Sequence, residues 1–245
     1  MIKLVEVSKV YHRGPEVIQA LDHLNLQIDS GEFVAITGKS GCGKSTLLHI
    51  IGGLEPVSRG RVFLDGCDLA HLREPELTRF RRDRVGVVFQ SFNLLPLLTL
   101  EENVALPRVL QGASYDQAQQ EAANWLGEVG LSGRRGHKPH QVSGGEMQRA
   151  AIARALMNQP AVILADDGHL HGCSRSDAGT VLHRIGERVG RGLAGAQRLE
   201  RPVRIVADVA AVRRDRHRPQ RLRRADRQHG LSVVRVRIGI VRQHI

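Results

Sequence analysis

At 245 residues and 41% hydrophobic composition, the chain has the size and balance of one large globular domain or two small ones. No apolar run approaches the roughly 18 residues that cross a bilayer, and the start, Met1 to Glu6, lacks an apolar signal core, so neither a span nor secretion is expected. Three cysteines, Cys42, Cys67 and Cys173, do not make a disulfide framework and read as reduced thiols. The net charge of +11 is unevenly spread. Residues 1–167 hold 18 Lys+Arg against 19 Asp+Glu, and residues 168–245 hold 18 against 6. All the cations of the second part are Arg, and no Phe, Tyr or Trp follows Trp125, so the composition divides the chain near residue 167.

Taken in order, Ile2 to Ser8 and Leu24 to Ile28 alternate as strands do. Glu32 to Thr37 is a short apolar run suited to a buried parallel strand, and a glycine-rich turn follows it. Lys44 to Ile51 reads as a helix closed by Gly52-Gly53. Arg61 to Leu64 and Val85 to Phe89 read as strands. Between Asp116 and Val129 the residues Ala118, Ala122, Trp125, Leu126 and Val129 recur at helical spacing, an ordinary core stripe. Glu146 to Asn158 reads as a helix stopped by Pro160, and Ala161 to Ala165 as a buried strand ending at Asp166-Asp167. Strands alternating with helices predict an α/β fold with a largely parallel central sheet.

Gly38-Lys39-Ser40-Gly41-Cys42-Gly43-Lys44-Ser45, followed by Thr46, fits the phosphate-loop pattern in its required context of strand before and helix after. Glycines let backbone amides converge on phosphate oxygens, and a helix N-terminus adds the positive end of its dipole. Lys44 supplies a point charge for the β- and γ-phosphates of a nucleotide, and the Ser45 hydroxyl can ligate Mg²⁺. Cys42 contributes its amide, with a redox role for its thiol as the lesser alternative. Asp166, at a strand end, reads as the carboxylate that serves Mg²⁺, the alternative being a turn cap.

Val142-Ser143-Gly144-Gly145-Glu146-Met147-Gln148-Arg149 closely resembles the signature sequence of ATP-binding cassette (ABC) transporter ATP-binding subunits. Ser143, Gly144 and Gly145 open a helix with free amides, which suits an anion, whereas Gly-Gly after a plain cap is poor helix sequence. The stretches Phe89 to Pro96 and Leu100 to Val104 resemble the macrolide-efflux and lipoprotein-release exporter branch. The resemblance runs over residues 1–167. It implies a phosphate-loop NTPase core, an antiparallel β subdomain and a helical subdomain at roughly 91–145. By the same resemblance Tyr11 stacks on adenine, the alternative being an ordinary half-buried strand tyrosine. Gln90 matches a glutamine that links Mg²⁺ and attacking water to the membrane partner, the alternative being a surface Gln. The family implies a head-to-tail homodimer. Each ATP then lies between one subunit's phosphate loop and the other's Ser143–Gly145, and dimer closure moves a permease that here must be a separate chain. That places the protein in the cytoplasm, peripheral on the inner face of the cell membrane.

The resemblance fails after Asp167. The family's catalytic base is a Glu, and here it is Asp167, one methylene shorter; reach matters, since about 1 Å of misplacement can cost roughly a hundredfold. Gly168 to Cys173 does not resemble the family's next loop, and no histidine between His183 and His217 fills the place of its switch histidine. The Arg-rich, aromatic-free composition is that of a GC-rich gene read out of frame, and a frameshift near codon 167 is inferred. The segment has little to bury and is expected to stay disordered. His169, His171 and Cys173 are read as an accidental cluster, not as metal ligands, and Val234 to Ile238 alternates like a strand. Two rivals to a transport ATPase remain: a cassette that binds ATP without turnover, and a soluble ABC protein using the basic segment as a nucleic-acid arm. With a net charge of −1 on residues 1–167, no specific nucleic-acid partner is expected.

Overall fold

The computed structural model describes residues 1–30, 32–36, 38, 40–167 and 204–209. Two sheets organise them. In the first, β1 (Ile2–Arg13) forms an antiparallel hairpin with β2 (Glu16–Ile28), and β4 (Arg59–Leu64) flanks β1 on its other side, with β5 (Cys67–Asp68) outermost. β1 runs past Ser8 and carries Tyr11, and β2 begins well before Leu24. Register shifts between Leu4 and Val10 break the alternation, which is why a period-two reading stops short at both.

The second sheet is parallel in the order β3 (Phe33–Ile36), β8 (Arg204–Val209), β7 (Val162–Asp167), β6 (Val85–Val88). Its strand β7 shows why Ala161 to Ala165 is apolar at every position. Val162 and Leu164 enter the core shared with the first sheet and α1 (Lys44–Ile51). Ile163 and Ala165 enter the core of α3 (Leu100–Leu110), α4 (Tyr115–Glu128) and α5 (Gly144–Leu156). A strand buried on both faces has no polar alternation to show. Each such buried Ile or Leu contributes about 1.5–3 kcal/mol.

Trp125 is half-buried against the helical core, as its spacing predicts. α5 begins two residues before Glu146, because Ser143 supplies the N-cap, and it ends at Leu156, short of Asn158. α2 (Glu76–Arg84) and α3 were not foreseen. α2 has no buried residue to betray it, and α3 carries Pro107 within its span. The Arg-rich segment supplies β8, an interior strand of the parallel sheet that its composition did not foretell. Lys39, His169, His171, Cys173 and Val234 to Ile238 lie outside the described residues. Among the described residues no helix is long and apolar enough to cross a membrane.

Candidate functional site

The site forms at the carboxyl ends of the parallel strands, where α/β sheets hold their ligands. After β3 the chain turns through Gly38 to Gly43 into α1. Gly41 has φ +75° and Gly43 φ +83°, a left-handed conformation that L side chains avoid. At Gly43 a Cβ would also come within 2.5 Å of the Ala20 carbonyl oxygen. Cys42 is buried, its Sγ standing where a Gly38 Cβ would come within 2.5 Å, so the thiol packs inward against the loop. Lys44 is buried, and its Nζ donates to the Gly38 carbonyl at 3.4 Å, across the loop.

Ser45, on the first turn of α1, donates its hydroxyl to Asp166 Oδ1 at 3.1 Å. His49, one turn further along, places Nε2 3.9 Å from the other oxygen of Asp166. An alcohol and a carboxylate oxygen side by side are the hard-oxygen donors that Mg²⁺ takes, so these residues fit that ion. Gln90 is exposed in the turn after β6. Val88 pairs with Ala165, so the strand register brings Gln90 to the same edge as Asp166. The backbone of Asp167 closes β7 opposite Val209, and Asp166 stands level with Asp208 of β8. The placement of the Asp167 carboxylate lies outside the described part.

Tyr11 reaches the site from the first sheet. Its hydroxyl donates to Glu55 Oε2 at 2.7 Å and lies 3.5 Å from Thr46 Oγ1. Burial pushes its phenol pKa up; the Thr46 hydrogen bond opposes this, and Glu55 adds to it. Burial alone would raise the Glu55 carboxyl, but hydrogen bonds from Tyr11 and Lys9 hold it below its ordinary value. Ser143 and Gly144 are exposed at the start of α5. The Ser143 hydroxyl and amide both bond the Glu146 carboxylate at 2.8 Å, and the Glu146 amide returns to Ser143 Oγ. Among the described residues a Cβ on Gly144 would meet nothing within 4 Å, so their packing does not explain the glycine.

The phosphate loop, Ser45, Thr46, Tyr11 and Asp166 are thus brought together, while the bonds of Ser143 stay within its own helix. Lys9, His49 and Glu55 were missed from sequence. His49 had a signal, since it is four residues after Ser45 on one helix face; Lys9 and Glu55 had none.

The sequence pattern described as ABC transporter matches residues 21–169. The chain belongs to the ABC transporter family. This ABC cassette is 46% identical over 197 residues to the uncharacterised ABC transporter ATP-binding protein MJ0796 of Methanocaldococcus jannaschii, covering 78% of this chain and 84% of that one. The solved dimer of that cassette, in a post-hydrolysis state bound to ADP and Pi, has a TM-score of 0.75 to this fold at 40% identity, over 85% of this chain and 88% of that one. The lipoprotein-releasing system ATP-binding protein LolD of Shewanella frigidimarina is 42% identical over 192 residues, covering 78% of this cassette and 80% of LolD. The macrolide export ATP-binding/permease protein MacB of Bdellovibrio bacteriovorus is 42% identical over 192 residues, and the match spans 77% of this cassette but only 29% of MacB. The relatives place the cassette beside exporter-type ATP-binding subunits.

Proposed function

We propose that this cassette binds Mg-ATP at Gly38–Thr46 and, as a head-to-tail dimer, couples it to an export permease at the inner face of the membrane. The observation that carries this is the meeting of Ser45 and Asp166 at 3.1 Å, a hydroxyl from the phosphate loop and a carboxylate from the end of β7. Lys44 and the loop amides hold the β- and γ-phosphates, and Tyr11 stacks on adenine. Bound Mg²⁺ would neutralise charge on the β- and γ-phosphates, with Ser45, Asp166 and Gln90 as its protein donors and shell. The exposed start of α5, with its open Gly144, faces outward as a signature sequence must if it closes on a second copy's nucleotide. The dimeric MJ0796 cassette supports that arrangement, and LolD and MacB, by their names, support an export partner.

Binding and turnover are separable here. Asp167 stands where a Glu is expected, which favours a cassette that binds ATP and hydrolyses it slowly. A shift of reading frame near codon 167 accounts for both that residue and the composition beyond it. The test of the main proposal is calorimetry with Mg-ATP on the wild type and on Lys44→Ala. Loss of most of the affinity in Lys44→Ala is expected, and equal binding by the two proteins would overturn the proposal.

A further inference from the structure

Tyr11 is held from two directions. Its hydroxyl donates to Glu55 Oε2 at 2.7 Å. The other Glu55 oxygen takes an ion pair from Lys9 Nζ at 3.0 Å. Lys9 is only 8% exposed, also donates to the Pro56 carbonyl at 2.8 Å, and sets its ammonium 4.9 Å from the centroid of the Tyr11 ring. Burying an ammonium and a carboxylate costs free energy that an apolar pair filling the same gap would not. Both groups converge on one ring, and the arrangement has a geometric consequence. The cation takes one ring face, so a stacking base would take the opposite one. The carboxylate fixes the ring's tilt through its hydroxyl. Thr46, on the first turn of α1 directly after the phosphate loop, lies 3.5 Å from that same hydroxyl, so the aromatic platform and the phosphate cradle are joined. Ile18, opposite Tyr11 in the β1–β2 register and 40% exposed, widens the apolar surface beside the ring.

We propose that Lys9 and Glu55 are positioning residues that pre-set the Tyr11 ring for a nucleobase, and so give the site its preference for a nucleoside triphosphate over bare polyphosphate. This rests on the assignment of Tyr11 as the base platform. A platform already fixed in its bound orientation loses less side-chain entropy when the base arrives.

The test is calorimetry on the full chain with two ligands, Mg-ATP and magnesium tripolyphosphate. Tripolyphosphate engages the phosphate loop without a base. Tyr11→Ala is expected to weaken ATP about 5- to 100-fold, the range of base–aromatic stacking. Lys9→Met, Glu55→Gln and Tyr11→Phe are each expected to weaken ATP about 3- to 10-fold. Tripolyphosphate affinity should stay unchanged in all four, which also reports that each variant is folded. Added to Tyr11→Ala, Glu55→Gln should cost nothing more. If Tyr11→Ala weakens ATP while Lys9→Met and Glu55→Gln do not, the brace is refuted and the base platform stands. If Tyr11→Ala leaves ATP as tight as before, the platform assignment fails and the brace with it. Equal loss of both ligands in Lys9→Met and Glu55→Gln would reduce the pair to general structural support and also overturn the proposal.

Discussion

Ser45 and Asp166 are 121 positions apart in the chain and 3.1 Å apart in space. One lies in the first turn of α1 and the other is the penultimate residue of β7, and neither element dictates the other's position. Their meeting turns two common residues into a candidate magnesium pair. Ser45→Ala and Asp166→Asn should each remove most of the gain in ATP affinity that Mg²⁺ provides, by about 10- to 100-fold, while leaving metal-free affinity nearly intact. Titration of ATP with and without a chelator measures this, and the double variant should lose little more than the worse single one.

Arg154 of α5 donates from its guanidinium to the Phe92 and Asn93 carbonyls at 2.8 and 2.5 Å. Those two residues have φ of +59° and +48°, a conformation non-glycine residues hold only when their surroundings impose it. Burial pulls the Arg154 pKa down without removing its charge. Arg154→Ala should cost about 2–3 kcal/mol in urea unfolding, because two carbonyls lose a charged donor. Arg154→Lys should recover only part of that loss, since an ammonium lacks the planar fork that serves both oxygens.

Acid should loosen the helical region. Glu102 and Glu146 sit in capping boxes at the starts of α3 and α5. The backbone amides of Thr99 and Ser143, then their hydroxyls, hold both carboxyls below their ordinary value of 4.5. The folded pKa lies below the unfolded one, so the stabilisation is full above 4.5 and is lost as pH falls through the depressed folded values. The urea midpoint should therefore fall as the pH drops below 4.5, and Glu102→Gln/Glu146→Gln should flatten that fall. An unaltered slope in the double variant would refute the assignment.

Turnover should be very slow in the chain as written. Asp167 replaces the expected Glu, the sequence beginning at Gly168 is unlike the family's, and no histidine lies between His183 and His217. Water positioning and charge stabilisation supply most of phosphoryl-transfer catalysis, so these changes should reduce hydrolysis far more than binding. Asp167→Glu alone should not restore activity, whereas the alternative-frame sequence from residue 167 onward should. Phosphate release by the three proteins decides it, and robust Lys44-dependent turnover by the unmodified chain would refute the frameshift account.

Local features were legible in the sequence because they are written within a few residues of one another. The strand–loop–helix run around Gly38 to Ile51 and the buried strand β7 each follow from backbone preferences and periodicity at short range. The family itself could be read from Ser143 to Arg149. Tertiary structure decided what depends on distant partners. β8 exists through ladders to β3 and β7 on its two sides, and six residues among arginines carry too little pattern to announce it. The bonds of Tyr11 to Glu55, Arg154 to Phe92 and Ser45 to Asp166 join segments that lie 44, 62 and 121 positions apart. Local propensity says nothing of such pairs, because they form only when the sheet order and the helix packing carry their backbones to one place.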